Sequence, residues 1–567
     1  MSVSTRCLVG RMWPLTAARA LFGDRDLAEK LIGRTIERHF WRGQIEPLCS
    51  KLQAANFEAS LGLPSHTNGA SASVEFAGSG PDDHLALGMM LMLGGRAFLG
   101  RTRVRQRLER RSGGLHASLT CAMALFLGLN ALVLNGALWF FSPEGYKEVV
   151  LQHSFAVLRG DGLDDSWGIM SEALDYAKTP HTTPLYSEIF FNRHVKFQYP
   201  PTALLAISGM RLVDPDRVRT NEFYAGPWPT LDVATSWIFL GLMALATAAV
   251  LELRLRELYP AEPWRSTTVL RGIIVAALTL TFYPVVKAFT LGQIQVWINA
   301  LFALALLAWM LGWKASSGVA IGLICLIKPH YGLFLLWAAI RGEWRFVIGC
   351  VSAGCVGLAI SIAAFGLADH IDYLSVLLYM FQRGETFYPN QSVNGLLNRL
   401  MSIRQPELYG NLEFFIERYA PFNVWIYGLT VASSLTILAA AIILPRHCEG
   451  GDRVLDFCIM GLSTTVASPI AWEHHYGILL PIFAALLAST LRNRRQLTVL
   501  IGSYVLASNF LPATQLVAGS ILNVVQSYLF AAVLAVLLLL YRQRTPEGVR
   551  VVRFADALPE AEASSRT

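Results

Sequence analysis

From Leu115 onward the chain alternates long apolar runs with short polar turns. Runs near 115–141, 230–251, 269–289, 294–313, 344–366, 423–444, 455–470, 476–491, 496–511 and 519–541 approach the roughly 20 residues that carry a helix across a hydrocarbon core of about 30 Å. Helix is the only open-chain conformation for such a run, because each backbone N–H and C=O must find its partner within the segment. Two further apolar segments break the pattern. Residues 199–213 begin around the pair Pro200-Pro201 and supply only about 14 apolar-rich positions, short for a crossing. Residues 318–340 are interrupted by Lys328-Pro329-His330, where proline removes a backbone donor and a lysine at depth is costly unless it faces a cavity. The pattern predicts an all-α polytopic membrane protein, a bundle of about 10–13 transmembrane helices with two long outer loops.

Residues 1–112 differ from the rest, being polar and containing a loose stretch from Pro64 to Asp83. They are expected to form a cytoplasmic, partly disordered extension, with no secretory signal in Met1 to Ala20. Residues 113–545 are then the membrane domain and 546–567 a cytoplasmic tail. Composition agrees: only 15% of residues are charged, against about 25% in soluble domains. The net charge of +7 does not point to nucleic acid. Its densest cluster, Arg101, Arg103, Arg105, Arg107, Arg110 and Arg111, immediately precedes the first long run, where a cytoplasmic flank belongs. The eight cysteines are scattered without a CxxC pair, and none falls in 142–198 or 367–422, so neither zinc nor a disulfide framework is indicated.

If both interrupted segments are re-entrant or broken hairpins, the charges order themselves. Arg254 to Arg271, Lys314, Arg341 and Arg345, Arg446 to Arg453, Arg492 to Arg495 and Arg542 to Arg544 fall inside. The loops 142–198 and 367–422, both richer in acids than bases, fall outside, and Gln293, Lys328 and Glu473-His474-His475 sit at the same outer face. The location implied is an inner (plasma) membrane, with an active site facing outward.

The first outer loop carries Asp161, Asp164, Asp165 and Asp175, and a carboxylate there can serve as general base toward a hydroxyl acceptor. Lys328 and His330 lie within an apolar segment, where a cation most naturally meets a phosphate or carboxylate; the bland alternative is a lysine snorkelling to the interface. Glu473, His474 and His475 form a polar group between two spans, but adjacent histidines do not share a helix face and make a weak metal pair. The second outer loop offers Arg383, Asn390, Gln391 and Arg399, and Asn390-Gln391-Ser392 also fits a glycosylation acceptor. No Gly-rich phosphate loop or dinucleotide fingerprint supports a soluble nucleotide site. Polar groups spread over many span ends but gathered at one face suit a ligand with an anionic head and a lipid tail.

The ordered series FQYPP, LGQIQVWINALFALAL, GLICLIKPH, NQSVNGLLNRL and SPIAWEHHYGILLP resembles glycosyltransferase family 87, membrane mannosyltransferases of the GT-C fold class that use polyprenyl-phosphate mannose. The resemblance runs over roughly 150–500. It implies inverting sugar transfer at an outer-face cavity, with an Asp of the first outer loop as base. The family's Asp lies about 20 residues before a Pro-x-Tyr element; Pro184-Leu185-Tyr186 matches that element and selects Asp164 or Asp165. This chain departs from the family in reading DDSWGIM, without the usual aromatic and tyrosine after the Asp, so both residues stay as candidates. Lys328, His474, His475 and Arg383 are then expected at the donor phosphate, with Tyr199, Gln293, His330, Gln391 and Glu473 in support. The expected partners are a polyprenyl-phosphate sugar donor, a glycolipid or glycan acceptor and membrane lipid; a divalent cation is left open. A transporter or lipid flippase is the rival reading, but it predicts an internal repeat, and the two halves show no convincing one. A structural scaffold would not require Lys328.

Overall fold

A computed structural model describes residues 114–142, 148–218, 229–259, 265–404, 419–444, 452–518 and 520–544. The chain divides into two units, Met1–Gly114 and Leu115–Thr567. The expected extension over 1–112 and the tail over 546–567 lie outside the described residues. The helices are α1 (Ala117–Phe141, with a π turn at Leu129–Leu134), α2 (Val150–Arg159), α3 (Trp167–Lys178), α4 (Leu204–Val213), α5 (Leu231–Leu258), α6 (Arg265–Leu280), α7 (Tyr283–Thr290), α8 (Gln295–Met310) and α9 (Lys314–Cys325). They continue as α10 (Leu333–Ile340), α11 (Trp344–Phe365), α12 (Leu367–Arg383), α13 (Val393–Arg404), α14 (Val424–Ile443), α15 (Arg453–Val466), α16 (Leu479–Thr490), α17 (Arg494–Ser508) and α18 (Tyr528–Arg544). Among the described residues no strand forms, and the protein is all-α.

Among the described residues five stretches are long and apolar enough to cross a membrane: α1, α5, α11, α14 and Ile521–Gln543, which includes most of α18. A sixth is the pair α6–α7, bent by 57°; Pro284 stands in the first turn of α7, where it cannot continue the ladder of α6. The predicted spans over 294–313, 455–470, 476–491 and 496–511 are helices of 12 to 16 residues, about 18–24 Å long. Of these, α8, α15 and α16 are largely buried by their neighbours. The interrupted segment 318–340 is a broken pair, α9 and α10, joined by a 3₁₀ turn at Pro329–Gly332. α9 lies hard against α11, because a Cβ at Gly318 or Gly349 would collide with the facing backbone carbonyl of Phe346 or Ala315. Small residues permit such backbone approach where hydrocarbon surrounds both helices.

The two long loops 142–198 and 367–422 are themselves helical where described, holding α2 and α3 in the first and α12 and α13 in the second. They also pack on each other. The Leu185 N–H donates to Asp369 Oδ1 at 3.0 Å, and the Tyr186 and Ser187 N–H groups both donate to Asp372 Oδ2 at 2.8 Å. Tyr186 stacks on Phe197 and meets Tyr373. Both loops therefore cover one end of the bundle. The opposite ends of the helices hold the arginines read as flanking charges, and the structure refines that reading. Arg254 and Arg271 are fully buried, Arg254 paired with Asp452 and Glu257, and Arg271 bonded to Glu252 at 2.5 Å. Arg341 bonds Asp456 at 2.5 Å.

Candidate active site

The Asp-bearing segment is positioned by backbone. The N–H groups of Leu163, Asp165 and Ser166 donate to the carbonyls of Thr290, Leu291 and Gly292 at 2.8, 3.0 and 3.2 Å. This pairing needs glycine at 292: its φ is +66°, a conformation glycine adopts at no steric cost, and a Cβ there would collide with the Leu163 carbonyl. Three side chains then lock the turn. Ser166 Oγ, Tyr199 OH and Gln293 Oε1 lie within 2.7–2.8 Å of one another, and Ser166 Oγ also accepts the Ile294 N–H. Gln293 spends its amide N–H on Asp165 Oδ2.

Asp165 and Asp164 thereby differ in environment. Asp164 is exposed and lies over Gly168. Asp165 turns into the fold, where burial raises its pKa above the usual carboxylate range; the Gln293 hydrogen bond and the Lys196 charge oppose the rise, and Asp164 and Glu385 add to it. Asp161 forms an exposed ion pair with Arg159 at 2.6 Å, and Asp175 pairs with Arg211. Both are thus occupied away from Asp165.

Lys196, which the sequence reading passed over, connects the two loops. Its ammonium bonds Glu385 Oε1 at 3.1 Å and lies 5.1 Å from the Tyr419 ring centroid. Glu385 is buried, and its other oxygen accepts the Trp472 indole N–H at 2.5 Å. Residues 389–391 run beside 471–473: the Gln391 N–H donates to Ala471 O at 2.8 Å and the Glu473 N–H to Pro389 O at 2.9 Å. Asn390 is fully buried, donating to Glu385 O and Pro469 O and accepting from Ala471 N–H. Its sequon is therefore a packing motif, closed to modification in the folded chain. Gln391, expected to support the site, donates to Tyr388 O and Gln526 O and accepts the Phe530 N–H, which satisfies its amide inside the bundle. Arg399 likewise holds backbone, donating to Asn390 O at 2.8 Å and to Ser527 Oγ at 2.5 Å.

The third group gathers Lys328, His474 and His475. Lys328, at the break between α9 and α10, acts electrostatically on both His474 and His475, and His330 acts on His475. Arg383 is not among the charges acting on these imidazoles; its guanidinium lies 4.6 Å from the Tyr379 ring centroid. Burial holds His474 and His475 well below the ordinary histidine range, and Lys328 lowers them further. Both rings are neutral at pH 7 in this state. The His475 Nδ1 accepts the Trp472 N–H at 3.2 Å, leaving Nε2 as the N–H that can donate. The Thr202 hydroxyl donates to Leu326 O, so the segment that sets Tyr199 beside Gln293 also touches the Lys328 turn.

Glu473 points elsewhere. It accepts from the Tyr283 hydroxyl at 3.2 Å, and burial raises its pKa to about 7 against the opposing charges of Lys287 and Arg399. Beyond it lies a group the sequence reading missed: Glu148 binds Lys287 and His153 at 2.6 Å each, and His153 Nδ1 meets Thr290 Oγ1 at 2.8 Å. Thr290 is the residue whose carbonyl holds Leu163. Nothing in local sequence links 148, 153 and 287; only α2 packing on α7 brings them together. Among the described residues, no group of three or more His, Cys, Asp or Glu side chains converges to hold a metal ion.

The chain was compared with known proteins. The sequence model of glycosyltransferase family 87 matches residues 197–469. Two similar relatives are both described as a polyprenol-phosphate-mannose-dependent alpha-(1-2)-phosphatidylinositol mannoside mannosyltransferase. That of Mycolicibacterium smegmatis is 25% identical over 335 residues, 55% of this chain and 67% of the relative. That of Mycobacterium tuberculosis is 26% identical over 297 residues, 51% of this chain and 61% of the relative, which is less than two thirds of its length. No solved structure matches. The matched region contains Tyr199, Gln293, Lys328 and Glu385 and ends just before the Trp472–His475 turn, so the resemblance read from the motifs is supported: residues 197–469 of this chain match glycosyltransferase family 87.

Proposed function

We propose that the protein transfers mannose from a polyprenyl-phosphate donor to a hydroxyl of a glycolipid or glycan acceptor, with inversion, at the outer face of the plasma membrane. The observation that carries this reading is a connected path from the half-buried Asp165 carboxylate to the N–H donors around Lys328. It runs from Asp165 through the field of Lys196, the Lys196–Glu385 and Glu385–Trp472 contacts, and the Trp472–His474 ring contact, to His474, His475 and Lys328. A base and an anion-binding group at the same end of the bundle are what a single displacement needs. Asp165 takes the proton of the acceptor hydroxyl while its oxygen bonds to the anomeric carbon. The bond from that carbon to the phosphate oxygen breaks, and its electron pair leaves with the polyprenyl phosphate. Lys328 and the His474 and His475 N–H groups offset the developing charge.

Asp165 suits the role better than Asp164, because Gln293 orients it and burial raises its pKa, which makes its ionised form a stronger base than an ordinary carboxylate. Membranes containing the protein are expected to move label from radiolabelled polyprenyl-phosphate mannose into a lipid or polysaccharide fraction. The absence of transfer to any membrane acceptor, with intact folded protein present, argues against the reading.

A further inference from the structure

Helix α12 follows the span α11 after one residue, Gly366, whose φ of +81° turns the chain. The helix has two contrasting faces. Asp369, Tyr373 and Val376 are buried, and on that side Asp369 and Asp372 hold the backbone of 185–187. The other face exposes Leu367, Ile371, Leu374, Leu378 and Phe381, each with 37–61% of its surface open. Their spacing of four, three, four and three places them on a single stripe. Ala368 and Ser375 are the remaining exposed positions within it, and the Ser375 hydroxyl is spent on Asp372 O at 2.6 Å. No charged residue lies in the stripe, whereas the water-facing side of a surface helix carries charges. An apolar patch of this extent marks a binding surface.

Its occupant follows from continuity. Phe381 meets Tyr427 edge-on at 5.8 Å, and Tyr427 meets Phe422 at 6.0 Å. Phe422, Val424 and Trp425 are exposed at the head of the span α14. The stripe is thus one surface with the flank of a membrane-crossing helix, and lipid covers that flank. We propose that α12 lies in the membrane–water interface on the side of the candidate active site, with its stripe set among the acyl chains of that leaflet. Its polar face then carries the first outer loop, so the leaflet supports the backbone that leads to Tyr199.

The test is photo-crosslinking of the full chain in nanodiscs of phosphatidylcholine and phosphatidylglycerol. p-Benzoylphenylalanine replaces Ile371, Leu374 or Leu378 singly, and Thr179, exposed in the first loop, is the control position. Mass spectrometry is expected to find acyl-chain adducts at all three stripe positions and none at 179. Because the positions are exposed, the variants retain the fold, which a thermal melt verifies. Adducts chiefly to a second copy of the chain overturn the proposal in favour of a dimer interface. Lipid adducts no more frequent at the stripe than at 179 overturn it in favour of a water-exposed helix.

Discussion

Asp165 is the residue on which the proposed chemistry turns, and its environment makes a directional prediction. General-base assistance is worth about 10²–10⁴-fold, so Asp165→Asn is expected to lose at least about a hundredfold in mannose transfer while still binding donor. Asp164→Asn, altering an exposed side chain, is expected to stay within about threefold, on the same scale. Equal loss in both, or loss in Asp164→Asn alone, reverses the assignment. Because the Asp165 pKa is raised and the base acts ionised, the acid limb of the rate profile is expected above the ordinary carboxylate range, with activity rising as pH rises through it. Glu473 supplies a stability counterpart. Its folded pKa of about 7 exceeds its ordinary value of 4.5, so between those limits the folded protein holds a proton the unfolded chain has lost. Stability attributable to this group is full below the lower value and falls as pH rises to the upper one, by on the order of 3 kcal/mol. Glu473→Gln keeps an acceptor for Tyr283 and removes the titration. Its melting temperature in detergent is expected to gain on the parent between pH 5 and pH 8, and a constant difference across that range sinks the idea.

At the scale of elements, two turns do the positioning. The first is the stretch 290–293 between α7 and α8, against which the Asp-bearing segment lies. Gly292→Ala introduces a left-handed residue, costing about 1–2 kcal/mol, and a Cβ collision with the Leu163 carbonyl that pushes 163–166 off its partner. Transfer is expected to fall at least tenfold while helicity by circular dichroism is kept; near-parental activity means the pairing does not position the base. The second is the break between α9 and α10. A hydrogen bond to a charged group contributes about 1.5–3 kcal/mol, so Lys328→Met is expected to raise the KM for the lipid donor by about 10–100-fold without lowering expression. A KM that does not move returns Lys328 to the role of an interfacial side chain.

For the whole molecule, the segregation of ends is the property to test. Both long loops, the Gln293 turn and the Trp472–His475 turn contact one another, and the arginine pairs at 254, 271 and 341 lie away from them. With the arginine end inside, a cysteine at position 161 is expected to react with a membrane-impermeant maleimide in intact cells. A cysteine at 494, at the start of α17, is expected to react only after permeabilisation. The opposite labelling pattern inverts the protein and places the candidate site in the cytoplasm.

The sequence by itself determined the elements that depend on local composition. Five of the long runs became helices long enough to span, others became shorter buried helices, and Lys328-Pro329-His330 became a break; the charged turns lead to the expectation that Gln293, Lys328 and Glu473–His475 share one face. Apolar length, proline and charge act within one segment, so one segment of sequence displays them. What only the tertiary structure decided were choices between chemically equal residues. Asp164 and Asp165 are adjacent and identical, and a bond from Gln293, 128 positions away, distinguishes them. Gln391 and Arg399 stand out in the sequence as candidate polar groups, but their partners, backbone carbonyls, the Phe530 N–H and the Ser527 hydroxyl, are visible only in the folded bundle. Lys196 and Glu385 looked like ordinary loop charges until the two long loops met, 189 positions apart. Polar side chains take their meaning from the partner that satisfies them, and in a helical bundle that partner is set by how the helices stack.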